Sequence, residues 1–369
     1  MTRCGSGAAP AWDALEAAAA AGADWSPDDG SPRFCASVPD DYRPNPGIPR
    51  NLAHFLDRAA IIALDAALQA IEHAGLGAGA GDARRFAVVD GLPYRAPGQP
   101  ALFAPYGHLV ARALGVRGSV SIVGGHEAGA LSAVATATRL LASGAADVVI
   151  AGGAQGLQRP LLDHVFEQNF ASDAPARPFD AAHKGYVVAE GAAYMVVERE
   201  AHARERGARP LAHIAGIGEL FDSAVEPLEL SGAPEAGRAM QEALAHAGYV
   251  QNQVDLVVSC ADGRPLSDFA EGYGLQRTFG RHAYFAGVTT VAGALGFSLG
   301  ASGGVSLVAA LEAMQRQRSF PVAGFETAEK DVELNYVRAA KDERLDTVLV
   351  TSLGLGGTDV SLLLERVRG

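Results

Sequence analysis

Cysteine is scarce in this chain: Cys4, Cys35 and Cys260 are the only three among 369 residues. They stand far apart, with neither metal-ligand spacing nor the density of a disulfide-stapled domain, which fits a reducing compartment. Positive charge is short as well. Lysine and arginine number 30 against 42 aspartates and glutamates, and the formal net charge of -12 argues against a nucleic-acid-binding surface. No block of like charge is long enough to form a tail. No apolar run is long enough to span a bilayer, and the opening MTRCGSGAAPAW contains no secretory h-region. His108, His126 and His183 are scattered, without i,i+4 pairing or a Cys/His cluster, so no metal site is expected. Together these absences lead to a cytoplasmic protein that binds neither nucleic acid nor membrane.

What is present is an alternation of short apolar strands and small-residue helices, organised around Ser119 to Leu141, SVSIVGGHEAGALSAVATATRLL. The β-branched run Val120 to Val123 reads as a buried strand, Gly124 and Gly125 as a tight turn, and the alanine-rich stretch from Glu127 as a helix. Such an elbow points free N–H groups and the positive end of a helix dipole at one side chain, here Glu127.

Before the elbow, residues 1–50 are rich in Ala, Gly and Pro and carry one short helix around Ala11 to Ala21. This arm is either a flexible leader or a packed segment, and Trp25, Phe34 and Tyr42 favour packing. Asn51 is the expected cap of a long amphipathic helix closed by Gly75 and Gly77. Strand Arg85 to Val89 and helix Phe103 to Leu114 follow. After the elbow come strands Asp147 to Ala151 and Ala192 to Glu198, then helix Glu235 to Ala247 and strand Val254 to Ser259. Helix Asp268 to Phe279, strand Ala283 to Thr289, helix Ser302 to Arg316 and the strand pair Thr347 to Ser352 and Val360 to Glu365 complete the chain. This order predicts α/β layers with a largely parallel sheet. HEAGALSAVATATRLLASG returns about half a chain later as LGASGGVSLVAALEAMQRQR, which predicts two duplicated halves. The expected division is an arm over 1–50 and halves over 51–200 and 201–369.

Several stretches in order then carry a family resemblance: SGAADVVIAGG, PARPFDAAHKGYVVAEGA, LSDFAEGYGLQRTFG, LGFSLGASGG and SLGLGGTD. From about Leu52 to the C-terminus the chain resembles the β-ketoacyl synthases of the thiolase superfamily. The resemblance implies a thiolase-like, five-layered αβαβα fold of two duplicated halves, usually dimeric. It also places the catalytic positions. The nucleophilic Cys of active synthases falls at Glu127, their first His at Cys260, their Lys at Ala292 and their second His at Phe297. The gatekeeper Phe of their C-terminal glycine loop falls at Leu355. Asp268 and Glu271 match an acidic pair, and Glu271 lacks the Lys it would be expected to meet. No member of the Cys-His-His set survives. The pattern is most similar to the chain length factors of type II polyketide synthases, which typically read AEQAGG where this chain reads GHEAGA. The front of the chain keeps at most a trace of the family's first strand, and Val89 to His108 is compressed.

The losses have chemical consequences. Condensation needs a thiolate to accept the acyl chain and donors to hold the enolate left by decarboxylation. Ala292 and Phe297 supply neither. Two readings of Glu127 stand: a carboxylate nucleophile forming a mixed anhydride, or a structural group accepting N–H bonds at a helix start. Cys260 is a relocated nucleophile or a small buried hydrophobe. His126 is a polar neighbour of the elbow or an acid–base group. Gly354, Gly356 and Gly357 match no phosphate-binding fingerprint and read as a tight loop lining the old cavity. Phe103 and Tyr106 are core residues or tunnel lining.

The function expected is therefore a non-catalytic subunit, with His126, Glu127, Phe103, Tyr106 and Leu355 as tunnel or interface candidates. It would pair with a catalytic ketosynthase and bound an acyl tunnel. It would bind no cofactor of its own, the phosphopantetheine of an acyl carrier protein acting at the partner subunit. The compressed stretch points to a narrow, straight product, linear or reduced (polyene-type). The alternatives are a repurposed acyltransferase or hydrolase using Glu127 or Cys260, and a homodimeric scaffold that recruits carrier proteins.

Overall fold

The computed structural model describes residues 1–28, 30–48, 56–77, 81–96, 105–223 and 233–367, without the side chains of 233–235. The arm packs against the body. Its helix Ala8–Glu16 lies earlier than the sequence suggests and buries Trp12 and Leu15, with Trp12 edge-on to Phe320 at 5.8 Å. The strands β1 (Ala23–Trp25) and β2 (Arg33–Cys35) form a small antiparallel ribbon. The following helix, Arg58–His73, is capped by Asp57, which accepts the Ala60 N–H at 2.7 Å. The expected cap Asn51 lies outside the described residues. Asp57 takes the role because it stands immediately before Arg58, the first helical residue, ahead of the mostly buried positions from Ala59 to Ala67.

The first sheet has the order β4-β3-β5-β6, from β3 (Phe86–Gly91), β4 (Val120–Val123), β5 (Val148–Gln155) and β6 (Gly191–Glu198). The second follows with β7 (Ala212–Phe221), β8 (Leu256–Ser259), β9 (Gly287–Thr290), β11 (Asn335–Tyr336), β13 (Thr347–Leu353) and β14 (Thr358–Arg366). Its order is β11-β9-β8-β13-β14-β7, while β10 (Arg318–Ser319) and β12 (Lys341–Asp342) pair apart from it. The duplication is explicit in the pairing. In the first sheet β3 is parallel to β4 and β5, and β5 is antiparallel to β6. In the second, β8 is parallel to β9 and β13, and β13 is antiparallel to β14.

Helices Gly129–Ala142 and Ser302–Arg316 lie between the sheets, and their small residues share one core with the inner strand faces. Helices Arg58–His73 and Tyr106–Leu114 cover the outer face of the first sheet. Helices Ala233–Ala247 and Pro265–Phe279 cover that of the second. Five layers result.

β7 is the longest strand that the alternation did not reveal, because glycines interrupt its apolar pattern; it did not reveal the short strands β1, β2, β10, β11 and β12 either. The glycines of β7 are there for close approach: a Cβ on Gly216 would stand 1.9 Å from the Ala243 carbonyl oxygen. Beside β6 the corresponding place holds Met1, which exchanges two backbone hydrogen bonds with Ala192, and a groove opens along the rest of that edge.

Candidate functional site

The two halves meet at two matching elbows. Each opens with a non-glycine residue at positive φ, His126 (49°) and Leu299 (43°), followed by one tight turn and a central helix. Glu127 thus has Gly300 as its internal counterpart. It is fully buried, and its carbonyl accepts the hydroxyls of Ser302 (3.2 Å) and Ser352 (3.3 Å), one from the second central helix and one from β13.

The Glu127 carboxylate does not cap the helix that follows it. It turns to the loop between β13 and β14, where Oε2 accepts the Leu355 N–H at 2.8 Å. Its other oxygen, Oε1, lies 3.9 Å from Nη1 of Arg264, and neither atom has a hydrogen-bond partner among the described residues.

Arg264 was not singled out by the sequence reading. The signal is there in CADGRPLSD: two opposite charges, two residues apart, directly after an apolar strand and before a proline that opens a helix. Its side chain is buried against the rings of Tyr186 (5.2 Å), Phe297 (5.6 Å) and Phe170 (5.7 Å). Asp262 grips it through Nε at 2.9 Å and Nη2 at 2.6 Å. Burial opposes the guanidinium charge, and Asp262 and Glu127 outweigh that cost, holding its pKa above the ordinary value. Burial likewise pushes the Asp262 carboxyl up to about 6, against the pull of Arg264.

Asp268 shapes the turn that carries this pair. It accepts the N–H groups of Phe179 (2.7 Å), Asp262 (2.9 Å) and Gly263 (3.1 Å) and contacts His183 Nδ1 at 3.2 Å. Burial lowers the His183 pKa, but Asp268, Glu329 and Asp180 together raise it above its ordinary value.

Cys260 follows β8, its N–H on Thr351 Oγ1 at 3.3 Å. Burial first, then the Glu271 carboxylate, hold its thiol well above the ordinary value. Such a cysteine is a thiol at neutral pH, not a nucleophilic thiolate. Glu271 accepts the Thr351 hydroxyl through one oxygen, its other oxygen has no hydrogen-bond partner among the described residues, and burial pushes its carboxyl up. Ala292 begins the short helix after β9, and Phe297 pairs by backbone with Val187 and Ala189. Glu127, Phe297 and Leu355 thus converge on or around Arg264, while Cys260 sits beside Thr351 and Glu271.

His126 is exposed, its ring 5.8 Å from that of Tyr94, edge-on. Tyr106 lies in the outer core with Val88, Val110 and Ile150, on the other side of the first sheet from the elbow helix. Phe103 lies outside the described residues. Among the described residues no histidine is hydrogen-bonded to Glu127 or Cys260, no cluster of His, Cys, Asp and Glu suits a metal ion, and no helix is long and apolar enough to cross a membrane. Among the described residues, the pocket is filled by the Arg264 guanidinium, enclosed between two carboxylates and three rings.

A duplicated αβαβα scaffold with such an elbow defines a class, and the chain belongs to it. It is a member of the β-ketoacyl synthase family: the model of the family's N-terminal domain matches residues 42–203 and that of its C-terminal domain residues 211–326. Within the family it resembles the ketosynthase-like subunits of type II polyketide synthases. A putative polyketide β-ketoacyl synthase 1 of Streptomyces cyaneus is 34% identical over 269 residues, covering 70% of this chain and 64% of the relative. The aligned chain thus spans less than two thirds of that relative's length. The ishigamide ketosynthase/chain length factor shares the fold at a TM-score of 0.88 and 22% identity, covering 100% of this chain and 97% of the other. A type II polyketide acyl carrier protein complex with its hexaketide-bound ketosynthase, AntDE:AntF, gives 0.85 at 19% identity, with 100% and 97% covered.

Proposed function

We propose that this chain is a non-catalytic ketosynthase-like subunit, a chain length factor, that pairs with a catalytic ketosynthase and bounds the acyl tunnel during polyketide elongation. The observation that carries the reading is the filled elbow. Where a synthase needs a free nucleophile, Glu127 is bonded to Leu355 and faces a buried arginine. The partner supplies the Cys and two His, and an acyl carrier protein presents its phosphopantetheine thioester there. The product is linear or reduced, in keeping with the compressed stretch before His108.

Pairing has a natural site. The outer edge of β4 is open among the described residues, with all four strand residues half-buried. Its counterpart β9 is covered by β11. An apolar open edge invites a strand from another chain.

The test is co-expression with the catalytic ketosynthase from the same gene neighbourhood, followed by elongation assays with malonyl- and acyl-carrier protein. The expected result is a stable complex in which chains elongate, and no elongation by this chain alone. Condensation by the purified chain, abolished by altering Glu127 or Cys260, would overturn the reading in favour of a repurposed acyltransferase.

A further inference from the structure

The loop Leu353–Gly357 is seated on the elbow with no space to spare. Gly354 donates to the Thr358 carbonyl at 2.9 Å and Gly357 to that of Gly354 at 2.8 Å, closing a tight turn. A Cβ on Gly354 would stand 2.4 Å from the Gly125 carbonyl oxygen, and one on Gly356 2.3 Å from the His126 ring. Side chains at either position would lift the loop away. The loop's outer end is tied too, since the Asp222 N–H donates to the Gly357 carbonyl at 2.6 Å.

Between these anchors, Leu355 presents its N–H inward, and Glu127 Oε2 receives it. The carboxylate is buried, so the bond is shielded from water. Beneath it, Arg264 supplies the counter-charge and fills the volume among Phe170, Tyr186 and Phe297. A thioester arm approaching Glu127 would have to displace the loop above or the guanidinium below. Displacing Arg264 would leave Asp262 buried and unpaired; displacing the loop breaks the Glu127 bond.

We infer that Glu127 is a positioning residue. Its carboxylate latches the glycine loop onto the elbow, over Arg264, so that this chain's own pocket excludes a thioester arm and the Leu355 side chain is held in one place. The inference deepens the reading of the chain as a non-catalytic subunit. It differs from a helix-cap role, because the oxygen that caps nothing in the helix is the one that holds the loop.

Amide hydrogen exchange on the full-length chain tests it without a partner, so its failure is distinct from a failure of pairing. Three variants separate hydrogen bond from charge. E127A removes both. E127D keeps the charge beside Arg264 but is one methylene short of the Leu355 N–H. E127Q drops the charge and keeps an acceptor oxygen. Exchange at Leu355 is expected to quicken about tenfold or more in E127A and E127D and to stay near wild type in E127Q. Exchange at Leu131 and Val134, in the elbow helix, is expected to be unchanged. If E127A does not fold, E127D carries the test. Wild-type exchange at Leu355 in E127D, exchange in E127Q as fast as in E127D, or uniform quickening across the elbow helix would each overturn the latch.

Discussion

At the scale of single residues, Arg264 decides what the pocket is. A buried ion pair adds little net stability over an apolar substitute, but removing one partner strands the other charge. Arg264→Ala leaves Asp262 without its cation, and Glu127 as well, at fully buried positions. The expected loss is about 3–5 kcal/mol, read by urea denaturation of the isolated chain. The double variant D262A/R264A is expected to recover part of it, and a single variant as stable as wild type would refute the assignment. Cys260 gives a second prediction. With its thiol held up by burial and Glu271, iodoacetamide at pH 8 is expected to modify Cys4 well before Cys260. Peptide mapping reads the order, and Cys260 reacting first would restore it as a candidate nucleophile.

At the scale of elements, the duplication was legible almost residue by residue. Aligning HEAGA with LGASG pairs His126 with Leu299, and both take positive φ at the start of their elbows. Glycine, alanine and serine repeating along both helices carried that information, because small residues let the helices approach each other and the inner strands closely: a Cβ on Gly303 would stand 2.9 Å from the Leu131 Cβ. What the sequence did not disclose was direction: which way the Glu127 carboxylate turns depends on a loop 228 residues away. Arg264 escaped for a related reason, since an Asp-Gly-Arg turn reads as surface unless the rings that enclose it are known. Within the first sheet, Asp90 on β3 receives Tyr194 Oη at 2.6 Å and the Gly107 N–H at 2.8 Å. Burial nonetheless pushes its carboxyl from 3.8 up to about 7. The folded chain therefore keeps a proton that the unfolded chain releases, and this contribution to stability, complete below about pH 4, is lost as pH rises to about 7. Asp90→Asn, whose amide can meet both partners, removes the slope. The stability of wild type relative to D90N is expected to fall by up to about 4 kcal/mol between pH 4 and 7.5 in denaturant titrations, and parallel pH profiles would contradict it.

At the scale of the whole molecule, the two halves are alike in strand order and unlike at their edges, and the pairing proposed above would use that difference. The second sheet is closed at β9 by β11, whereas the first ends at β4 with an open ladder among the described residues. The carbonyls of Ser119 and Val123 accept from Val88 and Leu92 on and beside β3, so the alternating residues Val120 and Ile122 present their own N–H and C=O groups outward. A proline at 122 deletes one outward donor and leaves the ladder to β3 its bonds, which is the one place in a sheet where proline is tolerated. Ile122→Pro is therefore expected to keep the circular dichroism spectrum of the isolated chain and to abolish its co-elution with the catalytic ketosynthase on size exclusion. In an interface that continued the sheet into another chain, proline at 122 would remove an outward donor and set its ring against the incoming strand. Co-elution of I122P at wild-type affinity would move the interface off this edge. Loss of co-elution with the Leu355 amide still protected in hydrogen exchange would show that the filled pocket and the proposed pairing edge are separable.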